Sequence, residues 1–358
     1  MTTDHPRPTP LSKERTMTTL ATEIVLPGIV EPGGLQVRAR ELPPPGPGQV
    51  LLRVDATGVS FAEQQMRLGR YFGQPPFPFV PGYDAVGTVT ALGPDVDSAL
   101  LDHRYAVVTK VGGWASHLVV DAADLMAVPD GVDAAAAETL VVNGVTAYQM
   151  LFRVAKVEAG GTIVVLGANG GVGSALVQLA RHAGIKVIGT ASARHHELLN
   201  KLGAIPVDYR DPDLYRRIRA LAPSGVDAVF DHVGGEGLKQ SWHLVRKGGT
   251  LVSYGIAGLK DESGSPQVAY LSLFSQLWMW HLSPNNRSAR FYNFWAGERQ
   301  KAKFRGRLRE DLTAVFALLA QGGITPQIAA TFPLSRAAEA LALAESGTVA
   351  GKVILTRD

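Results

Sequence analysis

Between Thr162 and Thr190 the chain reads strand, glycine turn, helix, strand, and any fold that holds this unit places it in a parallel sheet. Thr162-Ile-Val-Val-Leu166 is a short apolar run of the kind buried on both faces of such a sheet. Ser174 to His182 carries apolar residues at helical spacing, and Ile185 to Thr190 returns to a strand pattern. The turn between them, Gly167-Ala-Asn-Gly-Gly-Val-Gly173, is a phosphate cradle. Gly170 and Gly171 let the backbone approach a pyrophosphate, Gly173 lets the helix pack on the strand, and the helix start offers free N–H groups and the positive end of a dipole. Ala168 stands where the first glycine of the dinucleotide fingerprint is usual.

A unit that binds NAD places an Asp or Glu about twenty residues on, to hold the ribose 2′-hydroxyl. This chain has Thr190-Ala-Ser-Ala-Arg-His-His196 there, with no carboxylate. Ser192, Arg194 and His195 can instead donate to a 2′-phosphate, so the charge logic favours NADPH. The plainer alternative is that Arg194 and the two histidines form a solvated helix start.

The 358 residues suffice for two domains with cores of their own. No tract reaches the roughly 18 unbroken apolar residues of a membrane span, and the N-terminus lacks an apolar signal core. A soluble, cytoplasmic protein is the expectation. With no Cys, disulfides and cysteine-ligated zinc are excluded, and a formal charge of +3 is too mild to argue for nucleic acid. Residues 1–19 are polar, hold a second Met-Thr-Thr at Met17, and are expected to be a disordered leader. From there to about Asp130, short alternating runs such as Val50 to Asp55, Ala85 to Thr90 and Ser116 to Val120 lie between Pro and Gly residues, as in a small antiparallel barrel. Asp133 to Phe152 is helix-like; strand patterns return at Asp227 to Phe230 and Thr250 to Tyr254, after helical stretches, which is the alternation of a doubly wound parallel sheet. A helix near Leu308 to Gln321 and a strand at Gly351 to Thr356 close the chain, and this tail is expected to return to the first domain.

Gly58-Val-Ser-Phe-Ala-Glu63, Arg70-Tyr71, Pro81-Gly-Tyr-Asp-Ala-Val-Gly87, Asn143-Gly-Val-Thr-Ala-Tyr148, Ala168-Asn-Gly-Gly-Val-Gly173 and Ala350-Gly-Lys-Val-Ile-Leu355 together resemble the medium-chain dehydrogenase/reductase superfamily, in its zinc-free quinone oxidoreductase branch. The resemblance spans roughly residues 23 to 356. It implies an α/β chain: a GroES-like antiparallel β-barrel substrate domain over 20–142, completed by 291–358, and a Rossmann NADPH-binding domain over 143–290. A cleft between the domains and a homodimer are implied as well. Where the zinc-dependent members carry Cys, His and Cys on the catalytic metal, the matching positions here are Ser60, Tyr83 and Asn143, a set with neither thiolate, imidazole nor carboxylate. Without a Lewis acid to stabilise an alkoxide, reduction of an electron-poor acceptor fits better than oxidation of an unactivated alcohol.

The resemblance makes Tyr71 the candidate proton donor, a phenol able to meet a developing oxyanion without a full charge being buried. Packing on the barrel rim is the alternative role. Ser60, which replaces the Asn of many relatives, is the second catalytic candidate, and Asp84 replaces a Glu. The expected dinucleotide contacts are Asn143 and Thr146 near the nicotinamide, Asn169, Gly170, Gly171 and Val172 at the phosphates, Ser192, Arg194, His195 and Tyr209 at the adenosine end, and Val233, Gly255 and Ile256 after strand ends, where open α/β sheets bind ligands. Thr146 could equally bond within its own helix, and Tyr209 could be a plain strand-end aromatic.

Two segments stand apart. Val268 to Leu282 is long and aromatic, and could line an apolar pocket, pack in a dimer or lie on a membrane surface, with packing favoured. Arg299 to Arg309 alternates basic with other residues, which on a helix makes a solvated face or a landing site for phosphate-bearing thioesters or anionic lipid. Three functions follow: an NADPH-dependent reductase of a quinone or α,β-unsaturated ketone, which leads; an enoyl-thioester reductase working on carrier-bound or coenzyme A intermediates; and an NADPH-binding protein at a membrane surface that turns nothing over.

Overall fold

The computed structural model describes residues 18–71, 73–255, 257 and 266–358, with backbone alone at 266–269. The first part is built of strands β1 (Thr19–Val25), β2 (Gln36–Leu42) and β3 (Gln49–Val59), helix α1 (Phe61–Arg67), and strands β4 (Asp84–Leu92), β5 (Arg104–Val108), β6 (His117–Asp121) and β7 (Met126–Ala127). Helix α2 (Ala134–Tyr148) follows and runs on through a π-helical turn to Ala155. Then come β8 (Thr162–Val165), α3 (Gly171–His182), β9 (Lys186–Ala191), α4 (His196–Leu202), β10 (Ala204–Asp208), α5 (Leu214–Leu221), β11 (Val226–Asp231), α6 (Gly237–Leu244), β12 (Val245–Ser253), α7 (Pro266–Leu282) and β13 (Ser288–Phe291). The chain closes with α8 (Lys301–Ala320), β14 (Ile328–Pro333), α9 (Ala337–Glu345) and β15 (Lys352–Thr356).

Two large sheets carry the molecule, beside a two-stranded antiparallel sheet of β1 and β2. One runs β14-β15-β3-β4-β5-β7, with β6 paired to β3, so the closing strands extend the first sheet as the sequence suggests. Strand β3 is its corner: Gln49 to Arg53 pair with β6, whereas Ala56 to Val59 pair with β15, and register shifts at Leu51/Leu52 and Val54/Ala56 bend it between the two partners. The other sheet is wholly parallel and ordered β10-β9-β8-β11-β12-β13. Its order reverses between β8 and β11, and ligands of such sheets bind beyond the carboxyl ends of the strands at that reversal. Ile163, Val164 and Val165 of β8 and Ala228, Val229 and Phe230 of β11 are each fully buried, which is why these strands read as unbroken apolar runs.

Helix α2 lies between the sheets, and its Ala-rich sequence allows α3 and α8 to pack close on it: a Cβ on Gly144 would stand 2.8 Å from Val315 of α8. Helix α8 begins earlier than the apolar pattern suggests and takes in the basic run. Three of its cations are engaged within the chain, Arg307 at the Ala296 carbonyl. Arg305 meets Asp124 at 2.6 Å and Asp121 at 2.9 Å, and Arg309 donates to the carbonyl of Ala123 at 2.9 Å. Arg305 and Arg309 therefore fasten α8 onto the barrel, which corrects the landing site at Arg305, while Arg299, Lys301 and Lys303 are exposed, as the solvated face expects. The aromatic segment forms α7, whose Leu273 and Leu277 are buried and whose Trp280 stacks on Trp242 at 5.3 Å. Its other face, with Leu271, Phe274, Trp278 and Met279, is exposed beside the edge strand β13. Among the described residues no helix is long and apolar enough to cross a membrane.

Candidate active site

The glycine turn joins β8 to α3 at the reversal point. Gly167, at φ 63°, makes the sharp turn, so the conformational role expected at position 168 falls one residue earlier and Ala168 is buried packing. A Cβ on Gly173 would collide with the Gly167 carbonyl, as close helix packing requires. Gly171 differs from expectation: a Cβ there would strike the Asn143 side-chain amide, so this glycine admits Asn143 to the turn. The cap residue Gly170 offers no side chain to the first N–H groups of α3, and these are left for an anion.

Around this turn the strand ends converge. Val233 and Gly234 donate their N–H groups to Asp231 Oδ1 at 2.8 and 2.9 Å, fixing the loop after β11. The His232 ring lies against Gly167, and a Cβ on Gly255 would stand 2.9 Å from the His232 carbonyl. His232 thus lies between the turn and Gly255, with Val233 next to it in the chain; Ile256 lies outside the described residues, as do residues 1–17 of the expected leader. From the other sheet, the loop between α9 and β15 clasps the turn, with Gly351 N–H donating to the Asn169 carbonyl at 2.8 Å and Asn169 Nδ2 reaching the Val349 carbonyl at 3.5 Å.

At the end of β9, Arg194 donates to the Gly347 carbonyl at 3.0 Å, and no acid occupies the expected position. His195 Nε2 is buried without a partner among the described residues, and burial, reinforced by Arg194, pulls the imidazole below its ordinary pKa against the opposing pull of a backbone hydrogen bond at Thr348. Ser192 is buried, and Tyr209, half-exposed with Arg210 at 5.1 Å over its ring, is joined to this strand end by its N–H bond to Ala191. An orphaned imidazole nitrogen, a guanidinium and an uncapped helix start fit a dinucleotide with an added phosphate. Thr146 stands apart from this group: it is buried in α2 and hydrogen-bonds toward Tyr292, whose hydroxyl donates to Gln149 Oε1 at 2.9 Å.

The barrel side supplies hydroxyls. Tyr71 and Tyr83 share a hydrogen bond of 2.6 Å, and Trp295 Nε1 donates to the Tyr83 oxygen. With its oxygen taken by the indole, Tyr83 best donates onward to Tyr71, which leaves the Tyr71 hydrogen for a ligand. Burial raises the pKa of both phenols, so both stay protonated. Ser60 ends β3 and caps α1: its Oγ accepts from Ala62 N–H at 3.2 Å and contacts Glu63 Oε2, which accepts the Ser60 N–H at 2.8 Å.

Behind these lies a buried ionic cluster. Lys352 Nζ donates to Asp84 Oδ1 and Oδ2 at 3.0 and 3.1 Å and to Glu138 Oε1 at 2.7 Å, while Asp84 Oδ2 also accepts Val142 N–H at 3.0 Å. Asp84 thereby ties β4 to α2 beside Asn143 and to β15, and a Cβ on Gly58 would collide with Lys352 and Glu138. Asp84 serves here as an ion-pair partner. Glu138, Lys352, Glu63 and Trp295 are the residues that sequence reading missed. Ser60-x-x-Glu63 is a capping-box pattern, and Glu138 and Lys352 are lone charges in apolar runs; nothing local marks Trp295. Among the described residues no group of three or more His, Cys, Asp or Glu could hold a metal.

Comparison with known proteins agrees with this architecture. Residues 46–130 match the alcohol dehydrogenase GroES-like domain and residues 202–355 match the zinc-binding dehydrogenase family. The synaptic vesicle membrane protein VAT-1 homolog of Rattus norvegicus is 34% identical over 328 residues, covering 90% of this chain and 80% of its own length. A probable quinone oxidoreductase of Schizosaccharomyces pombe is 29% identical over 325 residues, covering 90% and 92%. Among solved structures, mycobacterial Rv1454c complexed with NADPH superposes with a TM-score of 0.79 at 27% identity, over 94% of this chain and 99% of that one.

Proposed function

The chain belongs to the medium-chain dehydrogenase/reductase superfamily, and from that premise we propose that it is an NADPH-dependent, zinc-independent reductase of a quinone or an α,β-unsaturated ketone. The observation that carries the reading is the Trp295–Tyr83–Tyr71 chain: it passes through Tyr83, which stands where a zinc enzyme would need a metal ligand, and ends on the protonated phenol of Tyr71. The bound dinucleotide supplies a hydride. Arg194 and His195 would hold the added phosphate, and the N–H groups of Gly171 and Val172 would take the pyrophosphate, with Asn169 and Asn143 at the same turn. Val233 and Gly255 wall the nicotinamide end. Tyr71 and Ser60 face the oxygen on which negative charge grows, and Tyr71 holds a hydrogen toward it.

Names of relatives support the acceptor class, a quinone in the yeast and mycobacterial proteins. An enoyl thioester remains a second acceptor class, but without Arg305, which is committed to Asp121 and Asp124. The exposed α7 face beside edge strand β13 supports a homodimer formed there, and light scattering at micromolar concentration tests it. We place the protein in the cytoplasm, as a small-molecule reductase without nucleic-acid partners.

The test is a fluorescence titration with NADPH and NADH, followed by NADPH consumption against quinones, enones and enoyl thioesters. Preferential NADPH binding with quinone or enone turnover is expected. Tight binding without turnover of any acceptor overturns the reductase, and equal NADH affinity overturns the phosphate site.

A further inference from the structure

We infer that Glu63 is the proton reserve behind Ser60: its carboxylic O–H donates to Ser60 Oγ, so that the serine's own hydrogen is directed to the oxygen of the acceptor. The inference rests on the reading of Ser60 as a group that meets that oxygen, and it assigns the proton a source.

A capping box on a protein surface has an ionised glutamate. Its oxygen accepts both the N–H and the O–H of the cap residue, and the serine then has no hydrogen left for a ligand. Glu63 sits in a different setting. It is 1% exposed, and its Oε1 is buried with no hydrogen-bond partner. An ionised carboxylate with an orphaned oxygen is costly, whereas the same atom as the carbonyl of a neutral acid is the cheapest orphan the group can have. Among the described residues no ion pair is formed with Glu63, and Lys352, which acts on it through its field, is bonded elsewhere. The three hydrogens of Lys352 Nζ are directed to Asp84 Oδ1, Asp84 Oδ2 and Glu138 Oε1, so the cluster already holds two carboxyl groups for one ammonium. A third anion at Glu63 would repel Asp84, and of the other groups that bear on it, Tyr71 and Tyr83 are protonated phenols. Burial, with Asp84 adding to it, raises the Glu63 pKa against the opposing pulls of Ser60 and Lys352.

With Glu63 neutral, placing the proton on Oε2 avoids an orphaned O–H at the partnerless Oε1. Oε2 carries the proton, donates it to Ser60 Oγ and accepts the Ser60 N–H on its remaining lone pair; Ser60 Oγ also accepts Ala62 N–H. The oxygen of the serine is then fully supplied and its hydrogen is free. When that hydrogen leaves as a proton for the acceptor oxygen, the Glu63 O–H bond breaks and a new O–H bond forms on Ser60. Glu63 is left as a carboxylate in the field of Lys352, and water returns its proton before the next turnover.

Two measurements test this on the NADPH-loaded and the free protein. Infrared difference spectra between wild type and Glu63→Gln should show the carbonyl stretch of an un-ionised acid at pH 6, fading as pH rises. The kcat of the wild type should decline over the same pH range. In Glu63→Gln the amide oxygen accepts both Ser60 donors, so kcat should fall by about 10²-fold and lose that decline, with NADPH affinity unchanged. Should Glu63→Gln not fold, Ser60→Ala gives the spectroscopic answer, since loss of the bond to Oγ shifts the acid band. Absence of the band while Ser60→Ala is impaired overturns the reserve and leaves Ser60 in place. Wild-type turnover in Ser60→Ala overturns both, and an unaltered pH profile in Glu63→Gln overturns the reserve.

Discussion

Replacing Lys352 by Met keeps most of the side-chain volume and removes the only cation from a site where Asp84 and Glu138 are 1% and 0% exposed. Breaking a buried ion pair from one side costs about 3–5 kcal/mol, because the partner charges stay behind uncompensated. At about 2.1 cal/mol/K of unfolding entropy per residue, that loss lowers the midpoint of a chain this long by about 4–7 °C if it unfolds as one unit. The pH dependence is the sharper part. Burial already raises the pKa of Glu138 in the wild type, with Lys352 as the opposing pull, and without Lys352 Glu138 is pushed further up. An acid whose folded pKa lies above its unfolded value binds more protons folded than unfolded, so stability falls as pH rises from the unfolded pKa to the folded one. The gap between wild type and Lys352→Met should therefore be small near pH 4 and widen by up to about 1.4 kcal/mol per pH unit for each such acid. Lys352 itself is lowered by burial but raised more by Asp84 and Glu138, so its contribution persists until strongly alkaline pH. Urea unfolding at pH 5, 6, 7 and 8 measures the gap. Adding Asp84→Asn and Glu138→Gln should close most of it, since the neutral amides need no cation. A gap that does not change with pH, or one below about 1 kcal/mol at pH 8, would falsify the account of a charge-compensated site.

Three further outcomes follow from the site. Arg194→Ala removes the one guanidinium bonded at the end of β9, so the NADPH dissociation constant should rise about tenfold to a hundredfold, as charge-assisted bonds of about 1.5–3 kcal/mol require, while NADH affinity stays unchanged in the same fluorescence titration. Tyr83→Phe leaves Trp295 Nε1 without its acceptor and Tyr71 without its donor, so thermal stability should drop by about 1–3 kcal/mol and kcat should fall with little change in NADPH affinity. Gly173→Ala drives a Cβ into the Gly167 carbonyl, a backbone atom that cannot swing away, so a loss of about 1–3 kcal/mol in stability should accompany weaker NADPH binding, both read in one thermal-shift series with and without cofactor.

Features encoded over short stretches of chain could be read in advance; those assembled from distant residues could not. The parallel sheet was legible because β8 and β11 are buried on both faces and so read as continuous apolar runs, and the glycine turn because close approach leaves no room for a Cβ at Gly173. The missing acid after β9 is likewise a local fact of charge. Gly171 shows the limit of such reading: its glycine is required by Asn143, twenty-eight positions earlier in the chain, which only the packing of α2 on α3 brings to the turn. Lys352 shows it again. In sequence it is one charge in an apolar strand, ordinarily a snorkelling side chain at a sheet edge. Strand β15 instead pairs with β3 between two other strands, which buries the ammonium, and the same pairing brings Asp84 and Glu138 to it. Arg305 shows the converse: in a row of cations whose first members are exposed it too looks solvated, until the barrel supplies Asp121 and Asp124 opposite it. Charges that solvate a surface and charges that fasten a helix to a sheet have the same local pattern, and they differ only in what distant parts of the chain bring to meet them.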